Sequence, residues 1–451
     1  MKRREFVQQA MAAAVLGLSR EQVAHLLRSE APPLPSDALY ERDPRWYWAE
    51  MRRQFLLDPN HINLNCGSLG VCPLPVIRAV AEHLFTSEAF NEPDYPWWGY
   101  AENEHIREVR EELAQFLGVS RDEIALVRNA TEAMNTVCNG LDLNRGDVVV
   151  TTDQEHLGGL CCWQQKEARF GIRLRYVKLP LPPASKEQIL ELFDRALTPE
   201  VRVVSFSHIT TTTGLVLPAK EICAMARERG ILSVVDGAHA IGQLPLNLRE
   251  IGCDFYATSP HKWLLAPKGT GVLYLREGVQ DRLWVNIASG EWNNKALKAY
   301  RFSNLGTCNL SLLKGLLAAL RFHRQIGSER IFARQRELAR LVYEGFQHLP
   351  QAKLLTPDHP ELWGAMTTAQ FPEAEAERVR RMLTEHRIRV GGGGPRLRIS
   401  THIFTQPEEI ATCFAVLARA LKRCARHASR EALTPVQSAS SAPGGVRGGS
   451  N

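Results

Sequence analysis

The stretch RVVSFSHITTTTGLVLPAKEICAMARERGILSVVDG, Arg202 to Gly237, decides how the rest of the chain folds. It opens on RVVSFS (Arg202–Ser207) and closes on ILSVVDG (Ile231–Gly237), two short β-branched runs of the kind buried on both faces of a sheet. Between them PAKEICAMARERG (Pro218–Gly230) has a proline near its start and Ile222, Met225 and Ala226 on one face. A glycine ends it, so it reads as an amphipathic helix with start and stop signals. Strand, helix, strand in this order predicts a parallel sheet joined by right-handed crossovers.

The same texture extends outward. GDVVVTT (Gly146–Thr152) lies upstream; DFYATS (Asp254–Ser259) and TGVLYL (Thr270–Leu275) lie downstream. After Thr307 the pattern changes. The long helical run LSLLKGLLAALRFHRQIG leads into more helices and a few strands, up to Cys424. The expected organisation is a large domain over residues 61–308 and a smaller α+β domain over 309–424, which residues 32–60 join from the N-terminal side. Residues 425–451 are rich in Ser, Pro and Gly and read as a disordered tail.

At 451 residues the chain is long enough for two domains and a large core. A net charge of +6, with no Lys/Arg run interleaved with aromatics, argues against nucleic acid as a partner. The ten cysteines show no metal-type spacing, and free thiols in that number suit a reducing compartment. Residues 1–31 point elsewhere. Arg3-Arg4 and Phe6 precede an apolar run from Ala10 to Leu18, too short to span a bilayer core of about 30 Å but suited to a signal h-region. This is similar to a twin-arginine signal, which exports proteins already folded, to the periplasm or another extracytoplasmic space. Lys2 stands where Ser or Thr is usual, and Ser29-x-Ala31 is the nearest cleavage pattern. An ordinary basic helix on a cytoplasmic protein is the other reading.

In an open parallel sheet, ligands bind at the carboxyl ends of the strands. There VVDGAHAIGQLP places Asp236, with His239 three residues on, and SPHKWLLAPKGTGVLYL places Lys262 after one further strand. Asp236 and Lys262 can therefore meet at adjacent strand ends, as a buried salt bridge or as a site. RNATEAMNTV sets Ala130 and Thr131 at a loop-to-helix junction, where free backbone N–H groups suit a phosphate. An ordinary helix cap gives the same pattern. With neither GxGxxG nor the Walker spacing, nothing in the chain argues for a nucleotide site.

SHITTTTG, VVDGAHAIGQLP and SPHKWLLAPKGTGVLYL, in that order, resemble the core of the class-V aminotransferases over most of residues 60–424. The resemblance implies pyridoxal-phosphate fold type I: a large domain with a mainly parallel seven-stranded sheet between helices, and a smaller α+β C-terminal domain. It implies that Lys262 forms a Schiff base with pyridoxal 5'-phosphate, that Asp236 faces the ring nitrogen, and that His239 lies near the 3'-oxygen. His156, after Glu155 in TTDQEHLGGL, would stack on the ring. Ala130, Thr131, Ser259 and His261 would form the phosphate cup, and Thr211 would lie near the cofactor oxygen, where desulfurases often carry Asn. Thr307, in RFSNLGTCN, would reach the phosphate of a neighbouring subunit, making a homodimer with shared sites. Arg398, in PRLRIS, would hold the substrate carboxylate, beside Asn65 and Ser68 of LNCGSLG.

The Asp236 role is physically sufficient. At about 4 Å and an effective dielectric near 20, an ion pair of about 4 kcal/mol raises a pyridinium pKa by up to about three units. Cysteine desulfurases carry a nucleophilic cysteine on the loop before the carboxylate-binding arginine. Here that loop is RIRVGGGGPRLRIS (Arg387–Ser400), without cysteine; Cys308 and Cys413 lie in other segments. The short glycine loop, LNCGSLG and DGAHA are most similar to the isopenicillin N epimerase-like subgroup. The resemblance therefore implies an epimerase or transaminase acting at the α-carbon of an amino acid or aminoacyl side arm, with a C–S β-lyase or a non-catalytic relative as alternatives. The sequence identifies no second proton-transfer base. FNEPDYPWWGY (Phe90–Tyr100) reads as core packing or a substrate-channel wall, and NIASGEWNNKALKAY (Asn286–Tyr300) as a lip near the neighbouring site.

Overall fold

The structure is a computed structural model that describes residues 32–89 and 104–431, with side chains to Lys422 in the last helix. The signal reading, the FNEPDYPWWGY loop and the chain after Glu431 lie outside the described residues.

Strand β1 (Ile62–Leu64) comes first along the chain. The large sheet holds β2 (Ile124–Val127), β3 (Val148–Thr152), β4 (Arg173–Val177), β5 (Val201–Ser207), β6 (Leu232–Asp236), β7 (Phe255–Thr258) and β8 (Gly271–Leu275), in the order β2-β8-β7-β6-β5-β3-β4. The stretch from Arg202 folds as expected. β5 and β6 are parallel, with Ser207 opposite Asp236, and the helix Ala219–Glu228 crosses between them. Alternate side chains feed two cores: Val148, Val150, Phe206 and Val235 on one face, Val149, Val203 and Val234 on the other. Edge strand β4 carries Arg173 and Arg175, charges that discourage further pairing.

TGVLYL is the exception that keeps the sheet mainly, not wholly, parallel. β8 runs antiparallel to both β7 and β2. The chain from Ser259 to Thr270 carries no crossover helix, so it can only turn back, and a return without a crossover is antiparallel. Lys262 sits on that return.

Beyond this sheet, β9 (Lys353–Leu354) and β10 (Met366–Gln370) are followed by β11 (Ile388–Val390) and β12 (Arg396–Ser400). β12, β10 and β9 form an antiparallel sheet, and β11 pairs in parallel with β1. Helices Ser328–Gln347, Glu373–Glu385 and Pro407–Glu431 enclose a separate core with Leu338, Phe346, Leu383, Ile399 and Leu417. The last helix thus runs past residue 424. Helix Leu310–Ile326, placed by sequence texture with this smaller part, buries Leu316, Leu317 and Leu320 in the large-sheet core instead. It packs on helices Leu74–Ala89 and Glu104–Leu117. Leucines on adjacent helical turns suit either core, so texture alone does not assign the helix.

The N-terminal residues bind the two parts together. Tyr47, Trp48 and Phe55 pack with Phe322, Phe332 and Phe404. Arg52 makes a two-pronged ion pair with Glu409, both N–O distances 2.8 Å. Among the described residues no helix is long and apolar enough to cross a membrane.

Candidate active site

The order of connections in the large sheet reverses between the parallel strands β3 and β5, the point at which an open sheet of this kind has its crevice outside the carboxyl ends. Glu155 spans it, accepting from Thr152 Oγ1 at 2.5 Å and Ser207 Oγ at 2.6 Å. Asp236, one strand over, is buried. Its Oδ1 accepts the Ala238 N–H at 2.9 Å, and its Oδ2 faces Gly159, where a Cβ would come within 2.7 Å. Asp236 has no ion-pair partner among the described residues. Its neighbour Gly237 has no room for a side chain, because the Tyr256 ring lies 2.0 Å from where a Cβ would stand.

The return from β7 to β8 brings Lys262 to the same crevice. The side chain keeps partial surface exposure, yet its amine lies deep enough for burial to pull its pKa down to about 8. The Asp236 carboxylate opposes that shift and the Arg398 guanidinium adds to it. Three residues on, buried Leu265 holds a φ of 60°, a left-handed conformation uncommon for a bulky side chain. Lys262 Nζ lies 3.2 Å from His239 Nε2, which also lies 3.2 Å from Thr211 Oγ1. Trp263, fully buried, donates its indole N–H to His239 Nδ1 at 3.3 Å. Burial foremost, then Lys262 and Arg398, push the His239 pKa well below its ordinary value, so the ring is neutral.

Arg398 arrives from β12 on the other sheet. Nη1 donates to the Thr211 carbonyl at 2.8 Å and Thr211 Oγ1 at 2.9 Å; Nη2 donates to Asn65 Oδ1 at 3.0 Å and Ser68 Oγ at 2.9 Å. Its buried Nε has no partner and faces Gly391, where a Cβ would stand 2.8 Å away. Burial brings this guanidinium down to about 10. His156 caps the helix Leu157–Phe170, its Nδ1 accepting the Gly158 N–H at 3.0 Å. It is exposed at the mouth. Burial of part of the ring lowers its pKa, with Lys262, Asp236 and Arg398 as charged neighbours.

The residues expected to cradle a phosphate lie near one another. Ser259 Oγ accepts the Ala130 N–H at 3.0 Å, and Asn129, not Thr131, caps the helix Ala130–Gly140. A Cβ on Gly158 would meet Thr131 Oγ1 at 2.5 Å, so two helix starts converge there. His261 Nδ1 lies 3.2 Å from the Thr270 carbonyl. Asn65, Ser68, His156, Thr211, Asp236, His239, Lys262 and Arg398 thus share one crevice, with Ala130, Thr131, Ser259 and His261 at one end. Thr307 does not join them. It is exposed, lining a cavity of about 620 Å³ with Arg128, Asn129 and Leu305.

Glu155 and Trp263 escaped the sequence reading, although each is adjacent to a residue it singled out. The signal for Glu155 was an acidic residue at the end of a buried strand, where an unpaired charge is costly.

These residues fit pyridoxal phosphate. A buried carboxylate without a cation suits one, and a protonated ring nitrogen would supply it to Asp236. An amine whose pKa is brought down to about 8 offers, near neutrality, a far larger fraction of the free lone pair an aldehyde requires than an ordinary lysine does. A helix start beside Thr131, Ser259 and His261 suits a phosphate.

The sequence profile described as Aminotransferase class-V matches residues 73–417. The chain is 36% identical over 392 residues to isopenicillin N epimerase of Streptomyces clavuligerus, covering 80% of this chain and 96% of that one. It is 30% identical over 347 residues to a probable cysteine desulfurase of Mycobacterium leprae, covering 73% and 81%. Its fold matches the cystine C–S lyase C-DES, solved with cysteine persulfide, at a TM-score of 0.71 and 28% identity over 80% of this chain and 98% of that one. A C-DES mutant with glycine covalently linked to its PLP cofactor matches at a TM-score of 0.73 and 28% identity, over 81% and 98%.

Proposed function

The chain belongs to the class-V aminotransferase family of pyridoxal-phosphate enzymes, and from that premise we propose that it epimerises the α-carbon of an amino acid or aminoacyl side arm. The observation that carries this reading is the Lys262 amine, its pKa brought down to about 8, facing the same crevice as the carboxylate-binding fork of Arg398, with no cysteine on the Arg387–Ser400 loop. When bound, the cofactor supplies an aldehyde for the substrate amine and a protonated ring that takes up the electron pair left by the departing α-proton.

The chain's own groups supply the rest. Arg398 exchanges Asn65 and Ser68 for the substrate carboxylate, which fixes the orientation of the α-carbon. Asp236 keeps the ring nitrogen protonated. Lys262, in its deprotonated form, takes the α-proton on one face. Thr131, Ser259 and His261 anchor the phosphate, and His156 covers the ring at the mouth. Thr307 reaches the phosphate of a second copy in a homodimer, a reading supported by its exposure. For residues 1–31 we propose export through the twin-arginine route, on the Arg3-Arg4 pair and the apolar run behind it.

A C–S β-lyase is the second reading, favoured by the fold match to the lyase C-DES. Incubation with candidate amino acids in deuterated water separates the two from each other and from transamination. Epimerisation exchanges the α-hydrogen and inverts the centre without keto acid; transamination yields keto acid, and sulfide or pyruvate release marks the lyase.

A further inference from the structure

We infer that Trp263 is a positioning residue: its indole N–H locks His239 as the Nε2–H tautomer, and His239 in turn keeps the Lys262 amine as a hydrogen-bond acceptor. The inference rests on the Lys262 reading above and adds a residue to which no role has been assigned.

The argument is one of donors and acceptors. An indole N–H can only donate. Trp263 is fully buried and its N–H points at His239 Nδ1, 3.3 Å away, so Nδ1 carries a lone pair. A neutral imidazole with a bare Nδ1 carries its hydrogen on Nε2. The doubly protonated ring is excluded by burial and by the charges around it: Lys262 and Arg398, with His156 and His261 beyond. Asp236 is the acidic group acting on Lys262.

Nε2–H therefore has two targets at 3.2 Å, Lys262 Nζ and Thr211 Oγ1. An ammonium at Nζ would present hydrogens to that N–H, whereas a neutral amine presents a lone pair. Thr211 Oγ1 also accepts from Arg398, so its lone pairs are shared and the Lys262 amine is the second acceptor open to Nε2–H. Trp263 is itself held fast. Its ring stacks on His402 at 5.7 Å, and its carbonyl lies 2.9 Å from His402 Nε2. Without the indole N–H, Nδ1 is free to take the hydrogen. Nε2 would then accept from a protonated Lys262 and raise its proton affinity.

The test is ¹⁵N NMR of histidine-labelled holoenzyme, with the His239 signals identified by difference against His239→Gln. The wild type is expected to show bare Nδ1 and protonated Nε2 from about pH 6 to about pH 9. Trp263→Phe is expected to shift the population toward Nδ1–H and to raise the midpoint pH for covalent cofactor uptake by about one unit, ~10-fold less neutral amine at fixed pH. A wild-type ring protonated at Nδ1 overturns the inference, as does an unchanged tautomer in Trp263→Phe. The wild-type spectrum decides the matter even if that variant does not fold. Failure of the functional reading is seen separately, as absence of cofactor on Lys262, because the tautomer remains measurable in the cofactor-free chain.

Discussion

Arg398 meets its four acceptors through two nitrogens, which a lysine cannot imitate: its ammonium is a point charge on a flexible stem. Arg398→Lys is therefore expected to raise KM for α-carboxylate substrates by ~10²-fold, about 3 kcal/mol, with a smaller change in kcat. Steady-state kinetics checks this, and a change confined to kcat would remove Arg398 from substrate binding. Glu155 gives a pH signature. Burial, reinforced by Asp236, lifts its pKa from 4.5 to about 7 against the lowering effect of Ser207 and Thr152. The folded state then binds more protons than the unfolded state between those values, so stability falls as pH rises through that window. In the cofactor-free protein, Glu155→Gln should remove roughly 3 kcal/mol of that pH-dependent change in stability. Urea unfolding at several pH values measures it; a wild-type slope retained in the variant would show that Glu155 is not the titrating group.

At the scale of elements, the segment Leu64–Gly70 and the return Ser259–Thr270 fix one another. Gly70 N–H donates to the His261 carbonyl at 3.0 Å, and a Cβ on Gly70 would stand 2.1 Å from the Lys262 carbonyl. Backbone cannot move aside as a side chain does. Gly70→Ala is expected to cost about 1–3 kcal/mol and to lower cofactor retention, measured by thermal unfolding and by the absorbance of bound pyridoxal phosphate. Unchanged retention would mean that the lysine return tolerates displacement. Elements were the part of the molecule most legible in the sequence. β5, β6 and the helix between them follow from periodicity and from Pro218 and Gly230, local signals that burial on both faces reinforces. The antiparallel sense of β8 was less visible, because it depends on what is missing between Ser259 and Thr270. The pairing of β1 with β11 joins positions far apart in the chain, and no local pattern carries that.

For the molecule as a whole, the site exists only because two sheets and the N-terminal segment close on one crevice. Asp236 and Lys262 come from the large sheet, Arg398 from the small one, and Asn65 and Ser68 from the segment after β1. The sequence supplied these residues through an ordered set of motifs. It did not supply Trp263 or Glu155, whose roles depend on which acceptor or donor a neighbouring element brings within 3.5 Å.

The central claim is that Lys262 carries the cofactor. Borohydride reduction of the purified holoenzyme, followed by digestion and fragment sequencing by mass spectrometry, tests it most directly. The account predicts the reduced pyridoxyl adduct on Lys262 and its loss in Lys262→Ala. An adduct on Lys268, whose amine reaches the Gly70 carbonyl at 2.8 Å, or on no lysine at all, would contradict it.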